Sequence, residues 1–181
     1  TDTKTVKTLL TAIANVTLTP FTHCQNYTIT FDSEDSLINS YIPADFFFVS
    51  FNESRSSAFQ KLLSMTKCKA IIKADGQIHV FNPTISGAVY DYEYNDAATN
   101  HNFFDKSVRK RLVIPTKIIV SSHPSTGDGY TGNAADAASE TALGRSLPSH
   151  KYLRATSNAQ CTAIATALLQ HYQVEAEKGH G

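Results

Sequence analysis

Two Ser-x-x-Lys tetrads, Ser64-Met65-Thr66-Lys67 and Ser107-Val108-Arg109-Lys110, are the patterns in this chain nearest to a nucleophile motif. On a helix that spacing sets a lysine one turn from a serine, where its amine could act as the base that activates the hydroxyl. The Ser-Asp-Asn and Lys-Thr-Gly elements that complete such a site are absent, so both tetrads read as surface residues. Asp91 and Glu93 would share one strand face, a geometry compatible with paired-carboxylate chemistry, with a solvated outer face as the default. The seven histidines form neither His-Glu-x-x-His nor a close ligand pair, and His79 reads as a satisfied or surface histidine within a strand. Residues 125–132 carry Gly127, Gly129 and Gly132, but lack the Gly-Lys-Ser/Thr of a phosphate loop and the spacing of a calcium loop around Asp128. Cys24, Cys68 and Cys161 are odd in number and far apart, and read as buried reduced thiols. No catalytic set emerges, and neither a cofactor nor a metal is expected.

The densest basic cluster is Lys106, Arg109, Lys110, Arg111 and Lys117, beside Phe103 and Phe104. Basic residues next to aromatics suit a nucleic-acid groove. Sixteen basic side chains balance sixteen acidic ones in the 181 residues, so no global pull toward nucleic acid exists, and a solvated face or a protein contact fits better. The longest apolar runs fall well short of the roughly 20 residues of a membrane helix. With 41% hydrophobic residues the chain can bury one core.

These residues must be held by elements that the pattern allows to be placed. Val6, Leu9, Leu10 and Ile13 predict a helix over 4–14, capped by Asp2 or Thr3. A short strand is expected over 27–31, a polar loop over 32–35, an irregular or extended stretch over 37–43, and a strongly apolar strand over 46–51. Ser54-Arg55-Ser56-Ser57 can cap a helix carrying Ala58, Phe59, Leu62, Leu63 and Met65 and stopping near Cys68. Strands over 69–74 and 77–81 then flank Asp75-Gly76, the signature of a two-residue type I′ hairpin. Residues 89–94 alternate with Tyr90, Tyr92 and Tyr94 on one face, and Pro115 lies between two short strands at 112–114 and 117–121, or interrupts one strand at a sheet edge. Residues 122–149, rich in small side chains, predict a mobile excursion. A brief strand over 151–154 and a long helix from Ser157 or Asn158 to about Glu177 complete an α+β domain: a helix-backed antiparallel sheet with a helix–hairpin unit.

This order of elements resembles a known family. An apolar strand leads through Asn52-Glu53-Ser54-Arg55 into a helix ending Leu62-Leu63-Ser64-Met65-Thr66. The hairpin Asp75-Gly76-Gln77-Ile78-His79-Val80 follows, then Tyr90-Asp91-Tyr92-Glu93-Tyr94, Arg111-Leu112-Val113-Ile114-Pro115 and a late helix. Over residues 45–177 this is similar to the central region of baseplate hub and tail structural proteins of tailed bacteriophages and related contractile injection systems.

The resemblance implies a non-catalytic structural module that contacts other tail or baseplate subunits and assembles as a ring, in a virion or prophage particle put together in the host cytoplasm. It carries over no catalytic residues, cofactor or membrane contact. The chain is short for a complete hub, which suggests an excised domain. Tyr90, Tyr92, Tyr94, Arg109 and Arg111 are the expected interface residues, because tyrosine and arginine anchor interfaces. The rival expectation is a hydrolase acting on cell wall or glycan, using Asp91 and Glu93 or a Ser-x-x-Lys serine.

Overall fold

The structure, a computed structural model, describes residues 3–15, 26–83, 107–110, 112–123 and 129–180, with 107–110 and 175–180 described by their backbone alone. Helix α1 (Val6–Ala14) is capped by Thr5, nearer the helix than the expected Asp2 or Thr3, and its Oγ1 accepts the Thr8 N–H. Val6, Leu10 and Ala14 lie on its buried stripe. After strand β1 (Ile29–Phe31), Asp35 caps a short helix α2 (Ser36–Ser40) by accepting the Ile38 N–H at 3.1 Å. Residues 37–43 were expected to be irregular. The Asp35 carboxylate supplies the missing start signal, and Leu37, Ile38 and Tyr41 are buried as a result.

The expected strand over 46–51 is not formed. Residues Ala44–Phe46 make a 3₁₀ turn, 47–50 have no regular element, and Phe48, Val49 and Phe51 are 67%, 52% and 96% exposed. Helix α3 (Arg55–Leu63) begins at Ser54 as expected, but ends at Leu63 rather than near Cys68. It feeds the hairpin of β2 (Lys69–Ile72) and β3 (Ile78–Phe81). The hairpin turn differs from the expected two-residue form. Gly76 donates to the Lys73 carbonyl at 3.0 Å, Lys73 to the Gln77 carbonyl at 3.2 Å, and Gly76 (φ 74°) is the turn's single positive-φ residue. That is a longer loop closed by a glycine bulge, in which Asp75 keeps an ordinary φ. Strand β1 adds to β3 in parallel, giving the order β1-β3-β2.

Strand β4 (Ser107–Lys110) pairs antiparallel with β8 (Glu177–His180). Strand β5 (Lys117–Ser122) is central in a second three-stranded sheet. It pairs antiparallel with β6 (Thr131–Ala135) and parallel with β7 (Pro148–Leu153). Residues 112–114 lie outside the sheet. Within 122–149, read from sequence as an excursion, lie β6, helix α4 (Ala137–Leu143) and the start of β7. Asp136 caps α4, and Gly144 ends it in the left-handed conformation at φ 65°.

Helix α5 (Asn158–Ala176) covers the second sheet. Ser157 caps it by accepting the Gln160 N–H at 3.1 Å, while Asn158 is used elsewhere, accepting the Thr131 N–H at 2.9 Å. Ile118 and Val120 of β5 and Ile164 and Ala165 of α5 are fully buried, members of one hydrophobic core. A Cβ on Gly132 would lie 2.3 Å from the Thr162 backbone nitrogen, so β6 and α5 approach too closely for any side chain there. Helix α5 also reaches the first sheet's unit, where His171 Nε2 donates to the Thr66 carbonyl at 2.6 Å and Gln170 Nε2 to the Pro83 carbonyl at 3.3 Å. The fold is α+β with a long C-terminal helix, as expected. Both three-stranded sheets are mixed, and no sheet among the described residues closes into a barrel.

Candidate functional site

Of the motifs that suggested catalysis, the two Ser-x-x-Lys tetrads fall within the described residues. Ser64 caps the end of α3 with its hydroxyl donating to the Lys61 carbonyl at 2.7 Å, a local role that leaves no nucleophile–base pair with Lys67. Ser107 to Lys110 is strand β4, where the helical spacing that the motif depends on does not exist. Cys68 is buried, and burial first, with Asp35 alongside, pushes its thiol up to about 11, so it is held protonated and unreactive. Cys161 is buried too, and burial raises its thiol as well. Tyr90, Tyr92, Tyr94, Arg111, Asp91 and Glu93 lie outside the described residues, and Arg109 is placed only as a backbone position in β4.

Two features stand out instead. The first is a pinned apolar turn. The Ser50 and Glu53 backbones close it, with the Glu53 N–H donating to the Ser50 carbonyl at 3.0 Å, and Asn52 sits at φ 71°. The Glu53 carboxylate accepts from Lys61 Nζ (2.8 Å), the Ser50 N–H (3.0 Å) and the Ser57 hydroxyl (2.7 Å). Those bonds, that from Lys61 foremost, hold the Glu53 carboxyl at about 2, so it stays ionised and the turn stays tied at neutral pH. Lys61 Nζ also stands 5.2 Å from the centroid of the Phe48 ring. Phe51 projects from this scaffold almost fully exposed. Phe48, Val49 and Phe51 are thus exposed together on a turn that polar ties hold in place.

The second feature is a groove of about 900 Å³ between α3 and β2, closed at one end by the C-terminal turn of α1. Phe59, Leu63, Ile72 and Ile78 give it an apolar lining, and Arg55 and Lys69 are charged side chains among its described lining residues. His171 borders it, and burial holds this imidazole below its usual value, in the neutral form.

Across the hairpin from this groove, His79 is clamped between two carboxylates. Its Nδ1 is 2.9 Å from Asp32 Oδ1 and its Nε2 2.9 Å from Asp75 Oδ2. Carboxylates only accept, so both contacts are satisfied together only by the imidazolium, and the hydrogen bond to Asp32 raises the His79 value above the ordinary one. Lys73 Nζ completes the cluster at 2.7 Å from Asp32. This is the satisfied histidine expected from sequence, and it ties β1 to the hairpin. Its partner Asp32 lies 47 positions away in sequence, beyond any local signal.

No protein-family model matches this sequence, and no curated protein matches it. Among the solved structures that share the fold are two phage tail proteins. One is the tail protein from Neisseria meningitidis MC58, with a TM-score of 0.59 and 12% identity over 97% of this chain and 49% of that one. The other is the 43 kDa tail protein of prophage MuSo2 from Shewanella oneidensis, with a TM-score of 0.52 and 12% identity over 94% of this chain and 48% of that one. The fold is therefore one found in phage tail proteins, and this chain spans about half the length of the two it resembles.

Proposed function

We propose that this chain is a structural module of a phage-like tail or baseplate hub, working through contacts with other tail subunits and with copies of itself rather than through turnover. The observation that carries the reading is the fold likeness to a tail protein across 97% of this chain. It is supported by the pinned turn that holds Phe51 96% exposed, since large exposed apolar side chains on a rigid frame serve association. Tyr90, Tyr92, Tyr94, Arg109 and Arg111 are proposed as further contact residues on the strength of their side-chain chemistry. The module would be assembled in the host cytoplasm and carried in a virion or prophage particle. Its test is genetic and structural: deleting the coding segment should leave particles with absent or incomplete tails under the electron microscope. Intact tails in the deletion would overturn the proposal. Light scattering of the purified chain reports the self-contact, with a discrete trimer or hexamer expected and a monomer at all concentrations contradicting it.

A further inference from the structure

We propose that the outer edge of β2 and the groove beside it take up an extended segment of a partner protein as an added β-strand. The segment carries apolar side chains at alternate positions with carboxylates between them. The hydrogen-bond alternation of the sheet identifies the free groups. Ile78 donates its backbone N–H to the Thr28 carbonyl at 2.9 Å, and the Val80 carbonyl accepts from Asp32 at 2.8 Å, so these two residues of β3 face β1. His79 and Phe81 therefore turn toward β2, opposite Ile71 and Lys69. By the same alternation Ala70 and Ile72 point their N–H and C=O groups away from β3, where they have no partner among the described residues.

Open edges of this kind are usually blunted by proline, a bulge or an inward charge. Over Lys69–Ile72 strand β2 carries neither proline nor bulge, its one charge is Lys69 beside the groove, and Ile71 and Ile72 are left 47% and 68% exposed. The groove of about 900 Å³ lies along this edge, walled by Phe59 and Leu63 of α3. An edge strand beside a helix-walled groove is the arrangement by which strand addition works: main-chain bonds supply affinity, and the groove takes every second side chain. Four residues of β2 offer a contact about 13 Å long, enough for a short strand. The charge of the partner follows from the lining. Lys69 contributes a cation, and no aspartate or glutamate is among the described lining residues, so a segment bearing carboxylates is the complementary one. The contact rests on this geometry and not on the tail reading, and either can fail without the other.

Fluorescence anisotropy with the intact chain tests it, using labelled peptides of about ten residues that alternate Val, Ile or Phe with Glu. Saturable binding of at least one is expected. N-methylation of the peptide's alternate backbone nitrogens should weaken it roughly tenfold, because it removes the added ladder. Lysine in place of glutamate should weaken it as well. Ile72→Glu should weaken the acidic peptide while leaving the unfolding transition in place, because the position is exposed, and Lys69→Glu, at a half-buried position, should weaken it as well. Ala70→Pro removes an N–H that no internal bond uses, and gives an independent reading of the edge. Absence of saturable binding across the peptide set, or equal binding of the methylated peptide, would overturn the proposal. A concentration-dependent dimer abolished by Ile72→Glu would also overturn it, by giving the edge to a second copy.

Discussion

The two three-stranded sheets of this protein are covered differently. On the second sheet, α5 lies so close to β6 that Gly132 has no room for a Cβ, and the facing Ile118, Val120, Ile164 and Ala165 are fully buried. On the first sheet, α3 stands off from the β2 edge and leaves a groove of about 900 Å³, while the turn that leads into α3 exposes Phe48 and Phe51. Both sheets belong to one core, joined through His171 and Gln170 of α5. One part of the molecule has used its apolar side chains to close itself. The other has kept some at the surface and used polar ties to hold them there. The proposed tail role would make the first part the frame and the second the working face.

The contrast can be broken by substitution, beginning where the effect should be greatest. Ile164→Ala removes a fully buried side chain under the closed sheet and should cost about 2–5 kcal/mol in urea unfolding. A cost below about 1 kcal/mol would mean that this core is looser than its burial implies. Gly132→Ala should cost about 1–3 kcal/mol, since the new methyl meets backbone atoms of Thr162 and Cys161, which cannot swing away, besides the Thr162 hydroxyl.

On the open side the expected effects are smaller and of another kind. Folding favours protonated His79, whose value is raised above 6.5, so the clamp contributes fully below that pH and is lost as pH climbs through the raised value. Asp32 and Asp75 are lowered below 3.8, chiefly by the Lys73 bond and the Gln77 N–H respectively, so their share is present above 3.8 and lost as pH falls through the lowered values. The clamp should therefore be at full strength between 3.8 and 6.5, and His79→Gln should flatten the alkaline arm of the stability profile. An unchanged profile would show that the clamp does not hold β1 in solution. Phe51→Ser should change stability by less than about 0.5 kcal/mol, because the ring touches little within the chain. The same change should weaken association with tail partners.

What could be read from the residues divides along the same line. The helix at Ser54, the Asp75-Gly76 hairpin and the long helix after Ser157 follow from capping and periodicity, which are local signals. The run of aromatic residues at 46–51 was misleading for a physical reason. A strand pattern states only that side chains are apolar, and it cannot distinguish a sheet's interior from a turn whose polar ties lie at Glu53, Ser57 and Lys61. The three-residue parallel pairing of β1 with β3 and the Asp32–His79 contact join positions far apart, so neither leaves a periodic trace. The groove, too, arises where α1, α3, the hairpin and α5 meet, and no stretch of sequence contains it.

The account's central claim is that the first sheet's side is the face a tail module presents to its neighbours. Site-specific photo-crosslinking inside assembled particles from cells that encode this chain tests it most directly, with the crosslinker placed in turn at Phe51, at Ile72 and at exposed Lys151 on the second sheet's β7. Crosslinks to other tail subunits from positions 51 and 72, and none from 151, are the predicted result. Crosslinks from 151 alone, or absence of the protein from the particles, would contradict the account.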